Sequence, residues 1–141
     1  MPANTDPIFP LIGNVDWITG MTAANSTADI TSGTSSLVFT AGANGSYLKE
    51  IRLKANPANN TAATVLRVWV NNGSTIGTAA NSAIFTELSI PATTAISTAS
   101  IPDFVVRLNI DLDAGFKVYL TLGTAPGGSG AFSAYAVGKD Y

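Results

Sequence analysis

The sequence predicts an all-β domain built as a two-sheet antiparallel sandwich, jelly-roll-like, with about eight strands and an extended N-terminal arm. Short runs with apolar residues at every second position recur at roughly twelve-residue spacing, as expected of strands. Clusters rich in Gly, Asn, Pro and Ser separate these runs, and no segment has the apolar spacing of a helix. Two sheets packed face to face bury such strands well. An immunoglobulin-like sandwich is the alternative fold.

The first 14 residues are predicted to form an extended arm, ahead of a single sandwich domain over residues 15–141. Proline fixes φ and lacks a backbone donor, so a proline-rich stretch suits neither a helix nor a central strand. The prolines of the arm are Pro2, Pro7 and Pro10. The arm also carries the apolar residues Ile8, Phe9, Leu11 and Ile12, which either fold back on the domain or dock on a neighbouring protein.

The first half of the domain contains four strand candidates. They cover residues 15–24, 35–41, 47–55 and 64–71. The first is weakly patterned, and the second places Leu37 and Phe39 on one face. The third alternates apolar Ile51 and Leu53 with charged neighbours. Asn-Gly pairs, which tolerate the positive φ of tight turns, precede the third candidate and follow the fourth.

The second half of the domain contains four more candidates. They cover residues 83–90, 104–112, 116–122 and 131–137. Residues 104–112 and 116–122 show the clearest alternation, so Asp113-Ala114-Gly115 between them is predicted to close a three-residue hairpin loop. Pro91 ends the preceding candidate, and a Gly-rich turn at 125–130 precedes the last one.

The stretch 64–71 has apolar residues on both of its predicted faces. Leu66, Val68 and Val70 point one way and are expected in the core. Val65, Arg67 and Trp69 point the other way, where a charge beside a tryptophan is unusual for a buried sheet face. We therefore expect Trp69 to be covered by a neighbouring subunit.

The composition excludes several functional classes. The chain has no Cys and no His, which removes disulfides, thiolate metal sites and the Ser-His-Asp triad. Charged residues make up 11% of the chain and the net charge is −2, which disfavours a nucleic-acid partner. No signal peptide or membrane span is expected. The sequence predicts a protein that is not an enzyme, without cofactor, membrane partner or small-molecule substrate.

The acidic residues offer one candidate cation site. Asp111 and Asp113 flank Leu112 at the predicted end of a strand, where two carboxylates point the same way and could hold a calcium ion. No further acidic ligand lies nearby in the sequence, so the pair is interpreted as the start of a loop. We therefore expect no bound metal.

Several stretches resemble a family of small bacteriophage virion proteins. They are "MPANTDPIFPLIGNVDW" at the start, "FTAGANGSYLKEIRLKA" and "TAATVLRVWVNNGS" within residues 39–74, "ELSIPATT", and the final "AVGKDY". The resemblance covers nearly the whole chain. Proteins of this family look like capsid decoration, or cement, proteins. The resemblance implies a jelly-roll-like homotrimer on the outer capsid surface of the virion, made in the host cytoplasm. It also implies the phage major capsid protein as partner and assigns no catalytic residue.

The function expected from these observations is stabilisation of contacts between major capsid subunits. The alternative is a tail- or fibre-associated β-sandwich module that binds host-surface glycans, because Tyr and Trp suit protein interfaces and sugar stacking alike. The predicted interface residues are Ile8, Phe9, Leu11, Trp17, Val65, Arg67, Trp69, Tyr119 and Tyr135.

Overall fold

The structure, a computed structural model, describes residues 9–10 and 12–141. The predicted interface residues Ile8 and Leu11, and most of the predicted arm, lie outside the described residues. The strands are β1 (Ile12–Met21), β2 (Ser36–Thr40), β3 (Ser46–Ala55), β4 (Thr64–Asn71), β5 (Ser82–Ile90), β6 (Asp103–Leu112), β7 (Lys117–Leu122) and β8 (Phe132–Asp140). In this part of the chain the only helix is a single 3-10 turn, Ala79–Asn81.

The eight strands form two antiparallel four-stranded sheets with the topology of a jelly roll. One sheet has the order β1-β8-β3-β6 and the other β2-β7-β4-β5. The first strand pairs with the last, the second with the seventh, the third with the sixth and the fourth with the fifth. The chain is therefore one long hairpin, rolled so that successive strand pairs fall in opposite sheets. The fold class predicted from the sequence is confirmed.

The core lies between the two sheets. Each strand contributes alternate side chains to it, as the period-two pattern predicts. The largest fully buried side chains are Phe39, Phe132, Leu48, Ile51, Leu53, Leu66, Ile90, Leu120 and Leu122. Packing is tight where β8 passes over β2: a Cβ added at Gly138 would lie 2.8 Å from Cζ of Phe39 and 2.9 Å from the backbone oxygen of Tyr47. Only glycine fits at this crossing.

The predicted hairpin between residues 104–112 and 116–122 is wrong. β6 pairs with β3, whereas β7 pairs with β2 and β4 in the other sheet. The loop at 113–115 does turn as predicted, since Gly115 has a φ of +74° and the Phe116 amide donates to the Asp113 carbonyl at 3.0 Å. The loop connects two sheets instead of two neighbouring strands. The prediction failed because alternation fixes which face of a strand is buried and not which strand lies beside it.

The first strand begins inside the stretch predicted as arm. β1 starts at Ile12, and Ile12 and Gly13 already pair with Asp140 and Lys139 of β8. The side chain of Asn14 donates to Oδ1 of Asp140 at 2.7 Å, which ties this end of β1 to the last strand. The sandwich therefore includes residues 12–14.

Candidate functional site

The outer face of the β1-β8-β3-β6 sheet carries an exposed apolar row. Trp17 pairs with Tyr135, Tyr135 with Arg52, and Arg52 with Val105, so the four side chains lie side by side across all four strands. Trp17 is 63% exposed, Tyr135 42% and Val105 40%. Large apolar groups left in water on one sheet face indicate a surface that another molecule covers.

A second row runs beside the first and brings charge to the same face. It consists of Val15, Val137, Glu50 and Arg107, paired in that order. Nη2 of Arg52 lies 2.7 Å from Oε1 of Glu50, and its Nε donates to the same oxygen at 2.8 Å. These hydrogen bonds lower the pKa of Glu50 and raise the pKa of Arg52. The pair keeps Glu50, which is only 6% exposed, in its charged form.

A groove of about 670 Å³ runs along this face, between an aromatic side and a charged side. Trp17, Tyr135 and Val137 line the aromatic side. The charged side chains of the face are Lys49, Glu50, Arg52, Lys54, Asp103 and Arg107, with Asp111 and Lys139 towards one end. Five of them are basic and three acidic, a net charge of +2. The other charged residues of the chain, two basic and six acidic, give −4. We call this surface the Trp17 groove.

The outer face of the other sheet also carries a tryptophan, but the chain itself covers it. Trp69 of β4 has Tyr119 of β7 and Ile84 of β5 as its cross-strand partners. Its indole Nε1 donates to Oγ1 of Thr121 at 3.1 Å. Since Thr121 is the partner of Arg67, the ring reaches diagonally over β7. Trp69 is only 8% exposed, so the expectation that a neighbouring subunit must cover it is corrected.

The residues around Trp69 are held within the subunit as well. Nε of Arg67 donates to Oε1 of Glu87 at 2.6 Å, and the Arg67 side chain is only 15% exposed. Its Nη1 is buried without a hydrogen-bond partner. Val65 and Tyr119 are half-buried. On this face the exposed apolar side chains lie on the two edge strands: Leu37 of β2, the partner of Tyr119, is 39% exposed, and Ile84 of β5, the partner of Trp69, is 47% exposed.

The structure separates the predicted interface residues into three places. Trp17 and Tyr135 come together in the Trp17 groove. Val65, Arg67, Trp69 and Tyr119 share the opposite outer face. Phe9 precedes β1 and is 68% exposed.

Sequence reasoning missed the rest of the groove. Val15 lies two residues before Trp17 and Val137 two residues after Tyr135, so alternation within β1 and β8 places them on the same face. The surface depends on the pairing of β1 with β8, and no local sequence pattern predicts that pairing.

The described residues show no centre for metal chemistry. Within residues 9–10 and 12–141, no three side chains of the His, Cys, Asp or Glu types lie close enough together to hold an ion. Asp111 instead accepts a hydrogen bond from the Tyr141 hydroxyl, which raises the pKa of Tyr141. No helix within the same ranges is long and apolar enough to cross a membrane.

Comparisons with known proteins find likeness in solved structures alone. No protein-family model and no curated protein matches the chain. A chain of the infectious bursal disease virus Gx strain is 14% identical, with a TM-score of 0.38. A chain of the T13 particle of that virus is 13% identical, with a TM-score of 0.39. A chain of the cyanophage Pam1 capsid asymmetric unit is 17% identical, with a TM-score of 0.38. This chain spans 36% of each bursal disease virus chain and all of the cyanophage chain.

Proposed function

We propose that this chain is a structural virion protein of the capsid decoration, or cement, type. Three copies associate on the outer surface of a phage shell and stabilise contacts between major capsid subunits. The observation that carries the proposal is the exposed apolar row of the Trp17 groove. The sequence resemblance to small phage virion proteins supports the same role, and the proposal assigns no catalytic residue.

The charge distribution is consistent with a protein surface as the partner. Charged side chains are depleted at interface centres and enriched at rims, whereas Trp and Tyr are enriched at centres. The groove has this order, because its aromatic side meets a charged side on β3 and β6. A partner that places apolar groups against Trp17 and Tyr135 leaves Lys49 and Arg107 free to contact carboxylates at the rim.

Symmetry compensates for a modest contact in each copy. One groove offers two large aromatic side chains, fewer anchors than a high-affinity one-to-one complex generally uses. When several copies bind one shell together, each later contact forms at a high effective concentration. The function therefore does not require strong binding by an isolated subunit.

The test compares the wild-type chain with two exposed aromatic variants. We expect wild type to sediment as a trimer and to bind shells assembled without it. Trp17→Ala should weaken shell binding by about 2 kcal/mol, roughly 30-fold in Kd, as for an aromatic anchor. Phe85→Ala is the matched control, because Phe85 is 43% exposed on β5 of the other sheet. A monomeric wild-type chain that leaves such shells unbound contradicts the proposal.

A glycan-binding module is the second candidate, supported by the composition of the same groove. Exposed aromatic rings stack on sugars, and charged side chains beside them hydrogen-bond hydroxyl groups. The Trp17 groove provides both within about 670 Å³. A glycan array should then show binding that Trp17→Ala abolishes and Phe85→Ala preserves. An array without signal, together with tail-free particles that retain the protein, removes this candidate.

A further inference from the structure

We propose that the segment 2–11 of one copy docks in the Trp17 groove of a neighbouring copy. The inference rests on the proposed assembly, for which it names the contacting segment and its receptor surface. The Trp17 groove then joins the copies to one another, and Trp17→Ala weakens shell binding because it loosens the trimer that binds the shell. The occupant of the groove is thus a segment of a second copy of this protein. Its sequence, PANTDPIFPL, is matched to the groove in shape, charge and length.

Shape and polarity favour a proline-rich occupant. Proline-rich segments adopt the polyproline II conformation at low entropic cost and dock in grooves lined by aromatic side chains. Segment 2–11 has three prolines among its ten residues. The groove presents Trp17 and Tyr135 next to each other, on paired positions of β1 and β8. These two rings form a platform on which the Phe9 ring and the prolines can pack.

The charges of the segment and of the groove also favour docking of one in the other. Asp6 is the only charged side chain in segment 2–11. The groove face carries +2, while the charged residues outside both this face and the segment sum to −3. A carboxylate therefore finds its most favourable surface on this face, beside Lys49 and Arg52. The Arg52 guanidinium already contacts Glu50 on one side and is 54% exposed on its side chain, which leaves donors for a second carboxylate.

The spacing of Asp6 and Phe9 fits the width of the sheet. A polyproline II helix has three residues per turn and rises about 3.1 Å per residue, so Asp6 and Phe9 face the same way about 9 Å apart. Trp17 on β1 and Arg52 on β3 are separated by two strand spacings, close to 10 Å. A segment crossing the strands can place Phe9 over Trp17 and Asp6 over Arg52 at once.

The chain between Phe9 and β1 is too short for Phe9 to contact the Trp17 of its own copy, so the segment comes from a neighbour. Ile12 begins β1, and Trp17 lies five strand residues further along, about 17 Å away. Phe9 is separated from Ile12 by three residues, which span at most about 11 Å. Reversing direction would consume at least two of these residues in a turn. Phe9 therefore cannot lie over the Trp17 of its own chain, and within the subunit it is 68% exposed.

Such a contact is of the head-to-tail kind. The donor surface is the segment before β1 and the acceptor surface is the Trp17 groove, so each copy uses one of each. Head-to-tail contacts form a closed ring when the rotation between copies is a simple fraction of a turn. Three copies related by a threefold axis satisfy every groove and leave no segment free.

The test uses the absence of cysteine in the chain. Ile8→Cys in one full-length preparation and Ser133→Cys in another give one thiol each, with Ser133 lying in the groove. After mixing and subunit exchange, a short bismaleimide should link the two chains. The control pairs Ile8→Cys with Ser89→Cys, an exposed serine on β5 of the other sheet. We expect the groove pair to link at least about tenfold faster, through the effective concentration of a docked segment.

Each outcome bears on the inference. Rates equal for the groove and control pairs overturn it. Linkage only within a single chain that carries both Ile8→Cys and Ser133→Cys also overturns it, because the donor is then the same copy. As a second readout, Asp6→Lys should slow linkage at low salt, whereas Asp16→Lys, on β1 outside the segment, should not. A trimer that binds shells without selective linkage refutes this inference alone, and a monomer that binds no shells refutes the proposed function.

Discussion

Replacing Trp69 by alanine should unfold the subunit more easily and should not act mainly on assembly. The indole is 8% exposed and its Nε1 hydrogen bond to Thr121 lies within the chain. A buried tryptophan removes roughly 200 Å² of surface from water, which at about 25 cal/mol per Å² corresponds to about 5 kcal/mol. Part of that surface is already covered in the unfolded chain, and alanine retains part of it. We therefore expect a loss of about 3–4 kcal/mol, within the usual range for such substitutions.

Urea denaturation followed by circular dichroism measures this loss. The midpoint for Trp69→Ala should fall while the slope stays unchanged, since the same surface is exposed on unfolding. Stability of an oligomer depends on protein concentration, so each variant is measured over a concentration series. Trp17→Ala is the control: its side chain is 63% exposed, and the subunit should lose no more than about 0.5 kcal/mol.

Two further variants separate the ring from its hydrogen bond. Trp69→Phe keeps an aromatic ring and removes the donor, and Thr121→Val keeps the shape and removes the acceptor. Thr121→Val leaves a buried indole N–H without partner, which costs about 1–3 kcal/mol. If Trp69→Ala instead leaves the subunit midpoint unchanged and dissociates the oligomer, the ring serves a partner and the reasoning from its burial is refuted.

Two other substitutions test the groove and the core. Hydrogen bonds from Arg52 lower the pKa of Glu50, so the pair's contribution to stability is complete above the ordinary Glu value of 4.5 and is lost as pH falls through the lowered pKa. Glu50→Gln should therefore unfold more easily at pH 7. In urea titrations at a series of pH values, its free energy of unfolding should fall less than that of wild type as the pH is lowered. Gly138→Ala should lower stability by about 1–3 kcal/mol by forcing the Phe39 ring aside, whereas Gly77→Ala, with open space around it, should change the thermal midpoint little.

Strand positions were predictable because they depend on local alternation. β4 begins at Thr64 and ends at Asn71 as the pattern predicts, with an Asn-Gly turn directly after it. The choice of partner strand depends on contacts far along the chain. The pairing of Trp17 with Tyr135 joins residues 118 positions apart, and no local pattern distinguishes it from other pairings. The groove was therefore foreseen as two separate aromatic residues and not as one surface.

Trp69 shows a second limit of pattern reading. Alternation correctly places it on the face opposite Leu66 and Val68. Whether a side chain on an outer face is covered depends on its neighbours across the strands, and here Thr121 of β7, a diagonal neighbour, accepts the indole hydrogen bond. A charged neighbour such as Arg67 does not keep such a face open, because its guanidinium pairs with Glu87 along the same sheet.

The nested strand order also determines when the protein can finish folding during translation. β1 has a single neighbour in its sheet, β8, which is synthesised after the other seven strands of the sandwich. Until then β1 has no hydrogen-bonding partner, and its Trp17 side remains open to other nascent chains on the same messenger RNA. Strand pairs distant in sequence close slowly. Rapid synthesis at high copy number thus exposes the strand that carries Trp17, and slower translation or lower temperature should raise the yield of folded protein.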